Sequence, residues 1–154
     1  MGLGPDPLQS VRMHHLHEDP ECLSLILCDA VYRDAITGKW IIVGVFNEIV
    51  TPTVPFVQPL MAIALTLTNA RGTFDLALAI EHEESGVEMF RQAGPMTVDN
   101  PLHLVDIQVT LGPLEFKVAG KYWLKVLFGE RIASQRPFRV SVAAERVGQH
   151  GTQD

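Results

Sequence analysis

Residues 60–81 read LMAIALTLTNARGTFDLALAIE, and this stretch decides the fold. Large apolar side chains alternate with small or polar ones over Leu60–Thr68, and again over Phe74–Glu81. A period of two residues is typical of a strand with one buried face, whereas a helix repeats every 3.6 residues. The segment between the two runs, Asn69–Gly72, carries turn-forming residues. The stretch therefore predicts two antiparallel strands joined by a short loop.

Similar apolar runs extend on both sides of this hairpin. They predict further strands at Cys22–Tyr32, Trp40–Val50, Val87–Phe90, Pro101–Leu111, Gly120–Gly129 and Ile132–Val142. Three prolines within residues 51–59 indicate a connection or an interrupted edge, and Gly94-Pro95 indicates a strand end. Strands do not alternate with helices, so a parallel sheet is not expected. The sequence predicts an all-β, immunoglobulin-like antiparallel β-sandwich of about 7–9 strands with short flexible termini.

The length of 154 residues indicates one domain with a sizeable core. We expect the sandwich to occupy residues 22–143, between a flexible N-terminal segment (1–21) and a flexible C-terminal tail (144–154). One landmark within the domain is Tyr122, near the start of a late strand. This is the position of the tyrosine corner, in which the hydroxyl bonds back to loop backbone.

The net charge of −6, with 12 scattered basic residues, argues against nucleic acid and anionic membranes as partners. No secretory signal and no apolar run of about 18 residues is visible, so we predict a cytoplasmic protein. Cys22 and Cys28 are the two cysteines. On one extended strand they lie about 20 Å apart, too far for a disulfide, as expected in a reducing compartment.

Six segments in a fixed order resemble a known family. They are Leu25–Asp29 (LILCD), Ile42–Glu48 (IVGVFNE), the proline-spaced Pro52–Pro59, Leu65–Gly72 (LTLTNARG), Gly120–Phe128 (GKYWLKVLF) and Arg136–Val140 (RPFRV). The set is similar to an uncharacterised family of bacterial domains of unknown function, common in planctomycete-like genomes. The resemblance implies a small immunoglobulin-like sandwich in a bacterial protein, and it implies no activity, cofactor or catalytic residue.

Two clusters of ionisable side chains contain residue types that can bind a metal or transfer protons. His14, His15 and His17 are metal-ligand types, but their spacing matches no established zinc motif, so they predict weak metal binding at most. The run from Glu81 to Glu84, which includes a histidine, is typical of a solvated strand end rather than an acid–base pair. No nucleophile elbow or phosphate-binding loop is present. We therefore predict a non-enzymatic protein with no cofactor.

The remaining hypotheses concern binding. Trp123 and Leu127 fall on the strand face opposite Tyr122, and Trp40 begins a strand, so these three residues are the candidate interaction surface. If both faces of the central strand are covered, Trp123 and Leu127 are instead core residues. The predicted role is a structural or protein-interaction module, with a protein partner or self-association. The alternative is a carbohydrate-binding module that stacks sugars on Trp40, Trp123 and Tyr32.

Overall fold

The computed structural model describes residues 20–144, which form eleven β-strands. They are β1 (Glu21–Arg33), β2 (Trp40–Val45), β3 (Glu48–Thr51), β4 (Phe56–Gln58), β5 (Met61–Thr68), β6 (Gly72–His82), β7 (Glu88–Val98), β8 (Val105–Leu111), β9 (Leu114–Phe116), β10 (Gly120–Phe128) and β11 (Arg131–Val142). One sheet has the order β2-β1-β5-β8, a second has the order β3-β11-β10-β6-β7, and β4 pairs with β9. The predicted all-β, immunoglobulin-like sandwich is confirmed. In the described part of the chain, no helix has the length and apolarity needed to cross a membrane.

The core lies between the four-stranded and the five-stranded sheet. Met61, Ile63 and Leu65 of β5 are fully buried and pack with Ile80 of β6 and Leu124 of β10. These are the side chains that the alternation of the sequence predicted to point inward. Burying one such side chain stabilises the fold by about 1.5–3 kcal/mol, so this layer accounts for much of the apolar contribution.

The run Trp40–Val50 was predicted as one strand, and the structure shows two strands in different sheets. β2 pairs with β1 in the four-stranded sheet, whereas β3 pairs in parallel with β11 in the five-stranded sheet. The chain crosses between the sheets at Phe46, which packs against the main core, and Asn47, whose Oδ1 accepts a hydrogen bond of 2.7 Å from Arg136. A continuous apolar run does not reveal such a crossing, because both of its halves are apolar.

Two further differences concern segments that contain proline. β7 is one strand that continues through Gly94 and Pro95, where a strand end was predicted. Proline is tolerated there because β7 is an edge strand, which needs no outward N–H donor. The short strand β4 lies within the proline-rich segment 51–59 and pairs with β9, and neither strand was predicted.

Tyr122 makes the contact expected of a tyrosine corner. Its hydroxyl donates a hydrogen bond of 2.6 Å to the carbonyl of Val118, four residues upstream. The predicted flexible segments 1–21 and 144–154 lie outside the described residues except for residues 20, 21 and 144, so they stay predictions.

Candidate interaction surface

The second half of β1 leaves β5 and forms a hairpin with β2. β1 pairs with β5 as far as Cys28 and with β2 from Cys28 onward. Asp34 holds the turn, because its Oδ1 accepts hydrogen bonds from the N–H of Thr37 at 2.6 Å and of Ile36 at 3.1 Å. These bonds, the one from Thr37 first, lower the pKa of the Asp34 carboxyl. A turn fixed in this way sets the register of the two hairpin strands.

The inward face of the hairpin covers the outer face of the four-stranded sheet. Val31 is buried, and Trp40 packs with it against Ala62 and Ala64 of β5. Both alanines are 1% exposed, although they alternate with the core residues of the strand and point away from the main core. Gln108 of β8 donates a hydrogen bond of 3.0 Å to the carbonyl of Val31. These contacts hold the hairpin against the outer face of the four-stranded sheet, where it forms a partial third layer.

The outward face of the hairpin is apolar and open. We define the hairpin surface as Tyr32, Ile41, Val43 and Val45, which are 60%, 48%, 44% and 55% exposed. Tyr32 lies directly opposite Ile41, and Val43 lies two residues further along β2, so these three side chains share one face. Val45 is also exposed, but it follows Gly44, whose φ of +67° interrupts the alternation. Contiguous exposed apolar side chains mark interaction sites on folded proteins.

β2 is also an unprotected sheet edge. No other strand of residues 20–144 pairs with its outer side. The sequence of the strand, WIIVGV, contains no charge and no proline, the residues with which natural edges are usually blunted. The carbonyl of Lys39 accepts the Asp34 N–H at 2.9 Å, so it points towards β1. Because backbone groups alternate in direction along a strand, Trp40 and Ile42 direct their N–H and C=O away from β1.

The three residues predicted as an interaction surface do not lie together. Trp40 belongs to the four-stranded sheet and is half-buried on the inward face of the hairpin. Leu127 is 7% exposed and packs with Ala77 and Ala79, whose small side chains leave room for it against the five-stranded sheet. Leu127 and Trp123 therefore do not form a jointly exposed apolar patch.

Trp123 is held in a small polar cluster on the outer face of the five-stranded sheet. Its Nε1 donates a hydrogen bond of 3.1 Å to Glu83, and the Lys121 Nζ lies 4.5 Å from its ring centroid. Lys121 also pairs with Glu83 at 3.1 Å. The hydrogen bond from Lys121, followed by that from Trp123, lowers the pKa of Glu83. One face of the indole ring thus already has a cation as its neighbour.

The ionisable residues near Glu81 have local structural partners. Glu81 pairs with Lys125 at 2.9 Å. His82 is 8% exposed, its ring centroid lies 5.0 Å from that of Tyr122, and its Nδ1 lies 2.8 Å from the Oγ of Ser85. The N–H of Ser85 also donates to this Nδ1, at 3.3 Å. The histidine therefore organises the turn that follows β6.

The predicted metal candidates, His14, His15 and His17, lie outside the described residues. Within residues 20–144, no three His, Cys, Asp or Glu side chains are grouped so that they could hold a metal ion. Both cysteines are free thiols, and burial raises the pKa of Cys22 and of Cys28.

The profile of the family of unknown function DUF6941 matches residues 23–141. The chain belongs to this family. The predicted membership of an uncharacterised family is thereby confirmed, and the planctomycete-like origin stays a prediction. None of the curated proteins matches the chain.

Solved structures with a similar course of the chain share little sequence with this DUF6941 domain. An alkylpurine DNA glycosylase, AlkC, from Pseudomonas fluorescens, bound to DNA with an abasic site analogue, is 10% identical with a TM-score of 0.49. That match covers 79% of this chain and 30% of the glycosylase chain. An immunoglobulin-like protein from Pseudomonas aeruginosa is 13% identical with a TM-score of 0.41, over 80% of this chain and 98% of that one.

Of the hairpin surface of the DUF6941 domain, the sequence suggested only Tyr32, as a possible sugar-stacking residue, and did not indicate that Ile41, Val43 and Val45 are exposed. The one signal for those three residues was the continuous apolar run of β2, which has no polar residue to mark a solvent-facing side. Such a run is typical of a strand buried on both faces. In the structure only one face of β2 is covered, because it packs against Ala62 and Ala64, and the other face is exposed.

Proposed function

We propose that this DUF6941 domain is a non-enzymatic protein-interaction module that binds an extended strand of a protein partner along β2. The observation that carries the proposal is an edge strand without charge or proline, next to an exposed apolar face. An added strand gains main-chain hydrogen bonds from such an edge, and its side chains gain contacts with the neighbouring face.

The hairpin is suited to this role because it is held in place before a partner arrives. The Asp34 turn fixes one end, and the contacts of Val31 and Trp40 with the β5 alanines fix its inward face. A preorganised surface loses less conformational entropy on binding. Ile41 and Val43 are about half exposed, so covering each contributes about 1 kcal/mol.

The proposal includes the absence of catalysis. It is supported by the side chains near Glu81, which already have hydrogen-bond or ion-pair partners within the protein. Nδ1 of His82 is engaged by Ser85, and Glu81 and Glu83 pair with lysines. His82 therefore makes its hydrogen bonds within its own turn, whereas a general base has to lie within hydrogen-bonding distance of a substrate. Carbohydrate binding and weak metal binding stay predictions, because no observation on the described residues favours either.

Site-specific photo-crosslinking tests the proposal. A benzophenone amino acid replaces Val43 in cells, and a matched variant carries it at Val57, a valine of β4 with 50% exposure. We expect a discrete cross-linked protein at position 43 that is absent at position 57. Cross-linking at neither position, or the same adducts at both, contradicts binding along β2.

A further inference from the structure

We infer that the strand bound by β2 is β2 of a second copy of this chain, paired antiparallel about a two-fold axis at Ile42. This inference rests on the proposed function and names its partner. Two-fold symmetric dimers are the commonest oligomers of soluble proteins, and their interface uses the same surface on both copies.

The backbone of β2 suits this register. Ile42 points its N–H and C=O away from β1, so the two copies exchange a pair of hydrogen bonds at Ile42. Trp40 points its backbone groups the same way and meets Gly44 of the other copy. Gly44 has a φ of +67°, which interrupts the regular ladder there. The pairing is therefore short and centred on Ile42.

The exposed side chains are self-complementary in this arrangement. Residues directly opposite one another in antiparallel strands share a face, so Ile41 of one copy lies against Val43 of the other, and the contact occurs twice. The inward residues Trp40 and Ile42 keep their packing within each copy.

Charge does not oppose the approach of a second copy at this edge. The whole chain has 12 basic and 18 acidic residues, a net charge of −6. Residues 28–47 contain Arg33 and Lys39 against Asp29 and Asp34, so two positive charges minus two negative charges give zero. The entire excess of −6 lies elsewhere in the chain. Two copies therefore meet at the hairpin without net repulsion between the surfaces in contact.

The expected association is weak and depends on concentration. Only a few residues on each side take part, which places the interface below the ~1,200 Å² of standard stable complexes. The dimer is therefore sought over a wide range of concentrations, from roughly 10 µM to 1 mM, as suits small transient interfaces.

Sedimentation velocity on the purified chain tests the inference. The wild-type chain should shift from monomer to dimer within that range. Val43→Lys puts a charge into both cross-strand pairs and should weaken dimerisation at least tenfold. The matched variant Val57→Lys, changed at a valine of similar exposure on β4, should dimerise as the wild type does. Circular dichroism and thermal melting establish that both variants are folded.

Each outcome decides between the two proposals. A wild-type chain that stays monomeric up to ~1 mM, or a Val43→Lys dimer as tight as wild type, overturns the two-copy inference. If the chain is monomeric but the probe at Val43 cross-links a different protein, binding along β2 stands and self-pairing is wrong. If the probe joins two copies of this chain, both proposals are supported.

Discussion

Replacing Tyr122 by phenylalanine removes one hydroxyl from the interior and leaves the ring in place. The hydroxyl donates to the Val118 carbonyl at 2.6 Å. The ring stacks on Phe138 at 5.6 Å between centroids and meets Phe116 edge-on at 5.2 Å. Because phenylalanine keeps both ring contacts, Tyr122→Phe isolates the contribution of the tyrosine corner to the free energy of unfolding.

The expected loss is about 1 kcal/mol, the net contribution of one neutral hydrogen bond. A larger penalty is not expected, because Val118 is 46% exposed and its carbonyl can bond to water when the hydroxyl is gone. For a chain of this size, the loss corresponds to a decrease in melting temperature of about 3–5 °C.

Urea denaturation followed by tryptophan fluorescence measures the effect. With a slope of about 2 kcal/mol/M, the midpoint should fall by about 0.5 M. Tyr32→Phe is the matched control, because Tyr32 is the other tyrosine of the chain and is 60% exposed. Coincident curves for Tyr122→Phe, Tyr32→Phe and wild type would refute the corner. A loss of ~3 kcal/mol or more would show that ring packing had also failed.

The same residue predicts a pH dependence. Burial raises the pKa of the Tyr122 hydroxyl, and the hydrogen bond to Val118 partly opposes the rise. The folded-state pKa then lies above the unfolded value of about 10, so the stabilisation is complete below that pH and is lost as the pH rises through the folded value. Tyr122→Phe should therefore lose less stability than wild type above pH ~10, and superimposable alkaline limbs would contradict this assignment.

Two further substitutions test a tight contact within the five-stranded sheet and a hydrogen bond between the two sheets. Gly120 has a φ of +129°, and a Cβ there would lie 2.9 Å from the Nε2 of His82, so Gly120→Ala should destabilise by about 2 kcal/mol in thermal melts. Gly94→Ala, which has open space and no positive φ, should stay within about 0.5 kcal/mol of wild type, and equal effects at both sites would show that strain is absent. Arg136 donates a hydrogen bond of 3.0 Å to the Leu25 carbonyl across the sandwich, and Arg136→Lys should cost about 1 kcal/mol through loss of the planar fork. An unchanged urea midpoint for Arg136→Lys would mean that this bridge contributes nothing.

The strands that the sequence predicted best are those in which large apolar side chains alternate with small or polar ones. β5, β6 and β10 lie close to the predicted ranges, because their large side chains fill the core between the sheets and smaller ones occupy the other face. Prediction failed where alternation was missing. The run Trp40–Val50 is apolar throughout, and the crossing at Asn47 depends on its hydrogen bond with Arg136, 89 residues away along the chain.

The sequence predicted that the candidate site is an interaction surface, but it did not predict where on the protein that surface lies. Aromatic content drew attention to Trp40 and Trp123, but exposure depends on which layer covers which face. Trp40 is half-buried because the hairpin lies over the β5 alanines, and Leu127 is buried because its neighbours on β6 are alanines. The burial of Trp40 and of Leu127 depends on residues that are distant in sequence, so it cannot be predicted from the local sequence pattern.

Hydrogen exchange at the amide of Ile42 tests the central claim, the pairing of β2 edges, most directly. The N–H of Ile42 points away from β1, so it should exchange rapidly in dilute solution and slow as the concentration of the chain rises. In Val43→Lys it should stay rapid at every concentration. Nuclear magnetic resonance resolves this amide from that of Ile41, which points towards β1 and serves as the internal control. Rapid exchange at Ile42 in concentrated wild-type chain, or strong protection already in dilute solution, would contradict the account.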